Sequence, residues 1–264
     1  TLEIIDQIKK FYDNNNIIDR TIQNLNNDFN ISVCFGVEIE FYLSGVIENF
    51  SNLFSFDIKQ EKGFLQFEFD IGPFLDPISL LKELEQKKKL IKSTTKKYGK
   101  EVIFSPKPFL DDFGSAMHIH LSFIDTTNNN FIEDEKFINN IAAYILYETK
   151  RHFIFFAPSA ECYKRFCDPM MSPVNFSYGN NNRTCAIRIP GSYPKRLEFR
   201  VPSPICDTKL CITFLLEAIY SSLLTSPKRN VEKIYGNAFD DQYKVDKFPQ
   251  NEEEAIENIK FFLY

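Results

Sequence analysis

The sequence has no tryptophan, only 9 glycines in 264 residues, 3 histidines, and 6 cysteines without a single CxxC pair. Glycines this sparse, in a chain that is 44% hydrophobic and 25% charged, exclude collagen-like repeats, global disorder and a coiled coil. With no CxxC spacing and no secretory leader, Cys34, Cys162, Cys167, Cys185, Cys206 and Cys211 are expected to be buried thiols. Neither a GxxxxGK[ST] nor a GxGxxG loop is present, so a bound nucleotide would be held by side chains on a sheet and not by a helix terminus. No apolar run approaches the roughly 20 residues needed to span a bilayer, and the opening TLEIIDQIKKFY is amphipathic. A cytoplasmic chain with no membrane partner is the expectation. Positive charge is in deficit, 31 Lys plus Arg against 36 Asp plus Glu, which argues against a nucleic-acid partner.

Helical spacing is clearest over 76–97, where Asp76 can cap, Pro77 suits the first turn, and Ile78, Leu81, Leu84 and Ile91 recur on one face. Similar stretches run over about 134–150 and from Asp207 onward, and residues 1–30 read as a helical lead-in. Strand-like segments fall at about 32–43, 64–70, 101–105, 115–123, 184–190 and 196–202. Helices and strands mix without βαβ repetition, so the expected class is α+β, a mostly antiparallel curved sheet with helices on its outer face. No linker divides 31–264, which reads as one domain.

The strands share one pattern. Val37, Ile39 and Phe41 alternate with Glu38 and Glu40; Met117, Ile119 and Leu121 with His118, His120 and Ser122; Leu197, Phe199 and Val201 with Arg196, Glu198 and Arg200. Ile187 and Ile189 flank Arg188, and Phe67 and Phe69 alternate with Gln66, Glu68 and Asp70. Period-two alternation puts each set on opposite faces. Any one of these strands reads equally as a half-solvated sheet. Together, two of three histidines with carboxylates and arginines on one face suit divalent ions such as Mg²⁺ or Mn²⁺ beside nucleotide phosphate. His152 ends a helix and reads as a C-terminal cap, and the lysine runs 87–89 and 96–97 as a solvated face.

In order, the motifs are Gly36-Val37-Glu38-Ile39-Glu40; Gln60-Glu61 with Gln66-Phe67-Glu68; Phe104 to Pro108 leading to Gly114-Ser115-Ala116-Met117-His118-Ile119-His120; Tyr163-Lys164-Arg165; Asn182-Arg183 to Arg188-Ile189-Pro190; and Arg196-Leu197-Glu198-Phe199-Arg200. Over about 31–257 the chain resembles the catalytic domain of glutamine synthetase. That resemblance implies two divalent cations, one on Glu40, Glu61 and Glu68 and the other on Glu38, His118 and Glu198. It implies ATP as co-substrate, with His120, Ser122, Arg188 and Arg196 near the nucleotide and Arg183 and Arg188 at the transferred phosphoryl group. Glu40, Gly114, His118, Arg165 and Arg200 would meet the amino-acid substrate.

The implied activity is an ATP-dependent carboxylate–amine ligase acting on glutamate and ammonia or another amine through γ-glutamyl phosphate. The alternative is a degenerate Mg-nucleotide-binding relative acting as a partner subunit. Two positions depart from the family pattern: Phe113 stands where members carry Asn, and Met171 where the flap carries a Glu, with Asp168 the nearest carboxylate. Only about thirty residues precede the Glu38 strand, so the family's N-terminal β-grasp domain is expected to be missing, and a homo-oligomer or a separate chain would complete the site.

Overall fold

The computed structural model describes residues 2–167, 171–225 and 231–263. In chain order come α1 (Leu2–Asn14), α2 (Ile17–Phe29), β1 (Ile31–Leu43), β2 (Ile58–Gln60), β3 (Gln66–Phe74), α3 (Pro77–Lys97), β4 (Val102–Ile103), β5 (Met117–Asp125) and β6 (Asn130–Phe131). These are followed by α4 (Glu135–Arg151), α5 (Ala160–Cys167), β7 (Tyr178–Asn180), β8 (Ile187–Ile189), β9 (Arg196–Phe199), α6 (Thr208–Leu224) and α7 (Glu252–Leu263).

Aspartate starts the three long internal helices. The Asp76 carboxylate accepts from the backbone of Ile78 and Ser79, Asp134 from Phe137, and Asp207 from Leu210, each satisfying donors that a helix start leaves open. His152 closes α4, its backbone N–H donating to the Glu148 and Thr149 carbonyls, while its ring packs on Phe155 and Phe214. Burial displaces the α3 stripe by a step from the expected one: Leu80, Leu84, Ile91 and Thr95 are buried, Leu81 is half-buried and Ile78 is exposed. Ile78 lies on the outward side of the first turn, while Pro77 and Leu80 beside it are buried.

The strands form one mixed, mostly antiparallel sheet in the order β2-β3-β1-β5-β9-β8-β7, with β4 added to β1 and β6 to β5; only β7 and β8 run parallel. β8 and β9 are shorter than the expected 184–190 and 196–202: residues 184–186 belong to a turn in which Thr184 bonds the Asn182 side chain, β8 stops before Pro190, which cannot donate to a ladder, and β9 ends at Phe199. Val37, Ile39, Phe69, Met117, Ile119, Leu197 and Phe199 are at most 1% exposed and form the sheet's apolar face. Onto it pack α3 against β3, α2 against β1, and α4 against β9. Helix α6, apolar on nearly every side, is enclosed by α2, α3 and α4, and is tied to α2 by Thr21 to Glu217 and by Tyr220 to Asp28 at 2.7 Å. Five of the six cysteines are buried as expected, but Cys167 is exposed, because it ends α5 on the side away from the packed Phe166.

Candidate active site

Strand register assembles the site. Glu38 on β1 stands between Asp70 on β3 and His118 on β5, and Glu40 stands opposite Glu68. One row further, Gly36, His120, Glu198 and Arg188 line up across β1, β5, β9 and β8; beyond them Ser122 faces Arg196. All these side chains therefore leave the sheet on the face opposite the helices.

Their contacts are close. The Nδ1 of His118 lies 3.4 Å from Glu38 and 3.3 Å from Glu198, and Nε2 of His120 lies 3.1 Å from Glu38. Arg188 donates to one oxygen of Glu198 at 2.8 Å and Arg200 to the other at 2.6 Å. Glu40 accepts from the Ala116 backbone N–H at 2.7 Å, and Arg196 donates through Nε to His120 at 3.2 Å. A cavity of about 260 Å³ opens above, lined by Glu38, Glu40, Glu61, Glu68 and Glu198 and by Arg183, Arg188 and Arg200, with Phe113 and Met171 also bordering it. By strand order the β1 and β3 carboxylates lie toward one side and Arg188 on β8 toward the other.

The electrostatics divide these carboxylates into two kinds. Burial pushes Glu68 up to about 9, and Glu38, Glu40 and Glu61 beside it push the same way. Glu61 is raised by burial and by Glu40. Burial also opposes charge on Glu38 and Glu198, but there it is outweighed: His118 and His120 hold Glu38 well below the ordinary range, and His118, Arg200 and Arg188 hold Glu198 down to about 2.

The donor set fits a divalent cation. Glu38, Glu68 and His118 offer ligand atoms within 4.8 Å of one another, as do Glu38, His120 and Glu198. His120 Nε2 is buried without an aligned hydrogen bond, and Glu68 is a carboxylate that the protein alone leaves protonated near neutral pH. Oxygen and imidazole donors facing excess negative charge are what Mg²⁺ or Mn²⁺ binds. These groupings differ from the expected ones in bringing His120, read from the resemblance as a nucleotide contact, among the ligand candidates.

Arg165 is the clearest departure. Its guanidinium is 1% exposed and donates to the carbonyls of Ser115, Arg200, Val201 and Pro202 at 2.8–3.4 Å. Burial pulls its pKa down to about 10. It borders the cavity, yet both terminal nitrogens donate to backbone carbonyls, three of them just beyond the end of β9, and its Nε is buried without a partner. Gly114 follows from this: a Cβ there would sit 2.6 Å from Arg165 Cγ, and its carbonyl is taken by Gln66. His120, Ser122 and Arg196 share the polar face but stand beyond the cavity that holds the other candidates. Asp168 lies outside the described residues.

Three polar cavity residues carried no site role from sequence, Gln66 although it stands in the strand alternation and in the motif with Glu68. Gln66 clasps Gly63 N–H and the Gly114 carbonyl, and its position two residues before Glu68 was the available signal. Lys59 pairs with Asp70 at 2.5 Å, and Lys62 Nζ lies 3.7 Å from the Met171 sulfur. Both flank the Gln60-Glu61 motif in the edge-strand loop, where no alternation marks them.

Residues 54–261 match the family model "Glutamine synthetase, catalytic domain". A glutamine synthetase of Nostoc sp. is 34% identical over 191 residues, covering 67% of this chain and 40% of that protein. The chain thus spans about two fifths of the length of the curated relatives it matches. Among solved structures, a GmaS/ADP complex superposes with a TM-score of 0.78 at 19% identity, covering 93% of this chain and 67% of the other. A Plasmodium falciparum glutamine synthetase gives 0.74 at 16% identity, covering 93% and 70%. Among the described residues no helix is long and apolar enough to cross a membrane. With its ordered motifs on one sheet face and most of its length within the catalytic-domain match, the chain belongs to the glutamine synthetase family.

Proposed function

We propose that this domain carries out ATP-dependent ligation of a carboxylate to an amine, with glutamate as the acid and ammonia or another amine as acceptor. The observation that carries this reading is the cavity's lining, in which Glu38, Glu40, Glu61, Glu68, Glu198 and His118 share about 260 Å³ with Arg183, Arg188 and Arg200. Two divalent cations on these carboxylates would neutralise phosphate charge and align the phosphoryl donor. Arg183 and Arg188 would hold the transferred phosphoryl group, and Arg196, His120 and Ser122, further along the face, the rest of the nucleotide. A γ-carboxylate oxygen attacks the terminal phosphorus and ADP leaves. The amine then attacks the acyl carbon, phosphate leaves, and the amine's surplus proton passes to a base. With Arg165 committed to backbone, Arg200 is the arginine left to meet the amino acid's carboxylate.

The match to an ADP-bound neighbour supports the nucleotide part of this reading. Met171, at the rim where a proton acceptor would serve, favours one alternative, a relative that binds Mg-nucleotide without turnover. Coupled ADP-release assays with glutamate over a panel of amines separate the two. Amine-dependent ADP release establishes the ligase; nucleotide binding by calorimetry without ADP release establishes the alternative; failure to bind nucleotide refutes both.

A further inference from the structure

Glu198 is 2% exposed, and both of its oxygens are occupied by guanidinium groups, Arg188 of β8 at 2.8 Å and Arg200, just past the end of β9, at 2.6 Å. Each arginine nevertheless keeps a buried Nε without a hydrogen-bond partner. Arg165, on the same cavity, also has an unpartnered Nε, but its terminal nitrogens are held by backbone carbonyls, whereas Nη1 of Arg188 and Nη1 of Arg200 share one carboxylate and are only partly satisfied by it. Glu198 also belongs, with Glu38 and His120, to a set of ligand atoms within 4.8 Å. The same carboxylate therefore sits in two competing sets of contacts.

We propose that Arg188 and Arg200 form an anion-binding pair that Glu198 masks, and that a divalent cation unmasks it by taking a Glu198 oxygen. This rests on the cation and phosphate reading of the site. A doubly charged ion outcompetes a singly charged guanidinium for an oxygen and repels the guanidinium it displaces. The arginines cannot follow Glu198. Arg188 is fixed on β8 directly opposite it, and Arg200 is tethered through Nη2 to the Met171 carbonyl at 3.2 Å. Donors released in place point into the cavity, where the ligand that suits two forked cations is a polyphosphate or carboxylate. By linkage, the anion must in turn tighten cation binding by the same factor.

The test is calorimetry with inorganic tripolyphosphate on the full chain, in EDTA and then in Mg²⁺, comparing the parent with Glu198→Gln and Glu40→Gln. Both substitutions remove one negative charge, but only Glu198 touches the arginines. The expected result without cation is about tenfold tighter binding to Glu198→Gln, with most of the Mg²⁺ enhancement gone, and about threefold or less for Glu40→Gln. Equal gains in the two variants, or none in Glu198→Gln while the parent binds with Mg²⁺, would overturn the masking and leave the site reading intact. Failure of every form to bind tripolyphosphate, with or without Mg²⁺, would overturn the site reading and the masking together. Should Glu198→Gln not fold, Mn²⁺ titration of Arg188→Gln against Arg183→Gln decides. Only the former loses a competitor for Glu198, so it alone should bind Mn²⁺ several-fold tighter than the parent, and parity between them overturns the proposal.

Discussion

Replacing Glu68 by Gln should stabilise the cation-free protein while weakening its hold on divalent ions. Burial and the neighbouring carboxylates of Glu38, Glu40, Glu61 and Asp70 raise Glu68 from 4.5 to about 9. A carboxyl whose pKa is higher folded than unfolded makes the native state bind the extra proton, so stability falls as pH rises through the interval between the two values. The loss amounts to about 1.4 kcal/mol per pH unit and about 3 kcal/mol by pH 7, an upper figure because water reaches the cavity. Gln has nearly the same shape and no proton to hold. In EDTA, urea unfolding of Glu68→Gln should therefore give a gain of about 1–3 kcal/mol at pH 7, smaller at pH 5.5 and larger at pH 8. Glu38 and Glu198 do not blur this window, since their pKa values are lowered and their contribution is lost only as pH falls into the acid range.

Saturating Mg²⁺ should reverse the order, because the ion stabilises in proportion to its affinity and the variant lacks one ligand. The parent should gain on the order of 2–3 kcal/mol at a hundredfold excess over its dissociation constant, and the variant much less at the same concentration. One substitution moving stability in opposite directions with and without cation is what a strained ligand predicts. If Glu68→Gln is less stable than the parent in EDTA at pH 8, or if Mg²⁺ stabilises both equally, the assignment of Glu68 to a cation is wrong.

Other substitutions probe the remaining assignments. A Glu40→Ala and Glu198→Ala pair should remove the Mg²⁺ dependence of ATP binding by calorimetry, and Mg²⁺ enhancement as large as the parent's would return the sheet face to mere solvation. Arg165→Met should lower the unfolding free energy by about 3–5 kcal/mol, because it leaves buried backbone carbonyls at Ser115, Arg200, Val201 and Pro202 without their donor; an intact fold with only a raised glutamate KM would favour Arg165 as a substrate contact. Met171→Glu should raise ammonia-dependent turnover within the span of about 10²–10⁴ typical of a positioned base. Lys62, 3.7 Å from the Met171 sulfur, would pair with the new carboxylate and blunt the gain, so adding Lys62→Gln should enlarge it. Turnover indifferent to both changes would mean that no base is needed at this rim.

What the sequence could and could not reveal follows from how far each property depends on a single strand. Glu38, Glu40, His118, His120, Glu198 and Arg188 were legible because alternation is local: apolar neighbours on both sides leave a polar side chain one face to occupy. Antiparallel pairing then carries that face across the sheet, so Glu38 meets His118 and His120 meets Glu198 without further instruction. Which carboxylate shares a cation with which histidine is a matter of register and rotamer. There the expected pairing of His118 with Glu198 is joined by an equally close grouping through His120. The burial of Arg165 among backbone carbonyls was not legible for a related reason. The residue lies on a short helix, α5, whose eight residues put Cys162, Tyr163, Arg165 and Phe166 all inside, and a charged residue on such an element is placed by the loops packed over it. Its acceptors, the carbonyls of residues 115 and 200–202, belong to two separate segments that converge only in the folded chain. Sequence spacing can report a residue's face, but not that four carbonyls from distant turns will claim its donors. The chemistry of the site is therefore written in the strands, and the choice of which arginine remains free to use it is made by tertiary structure.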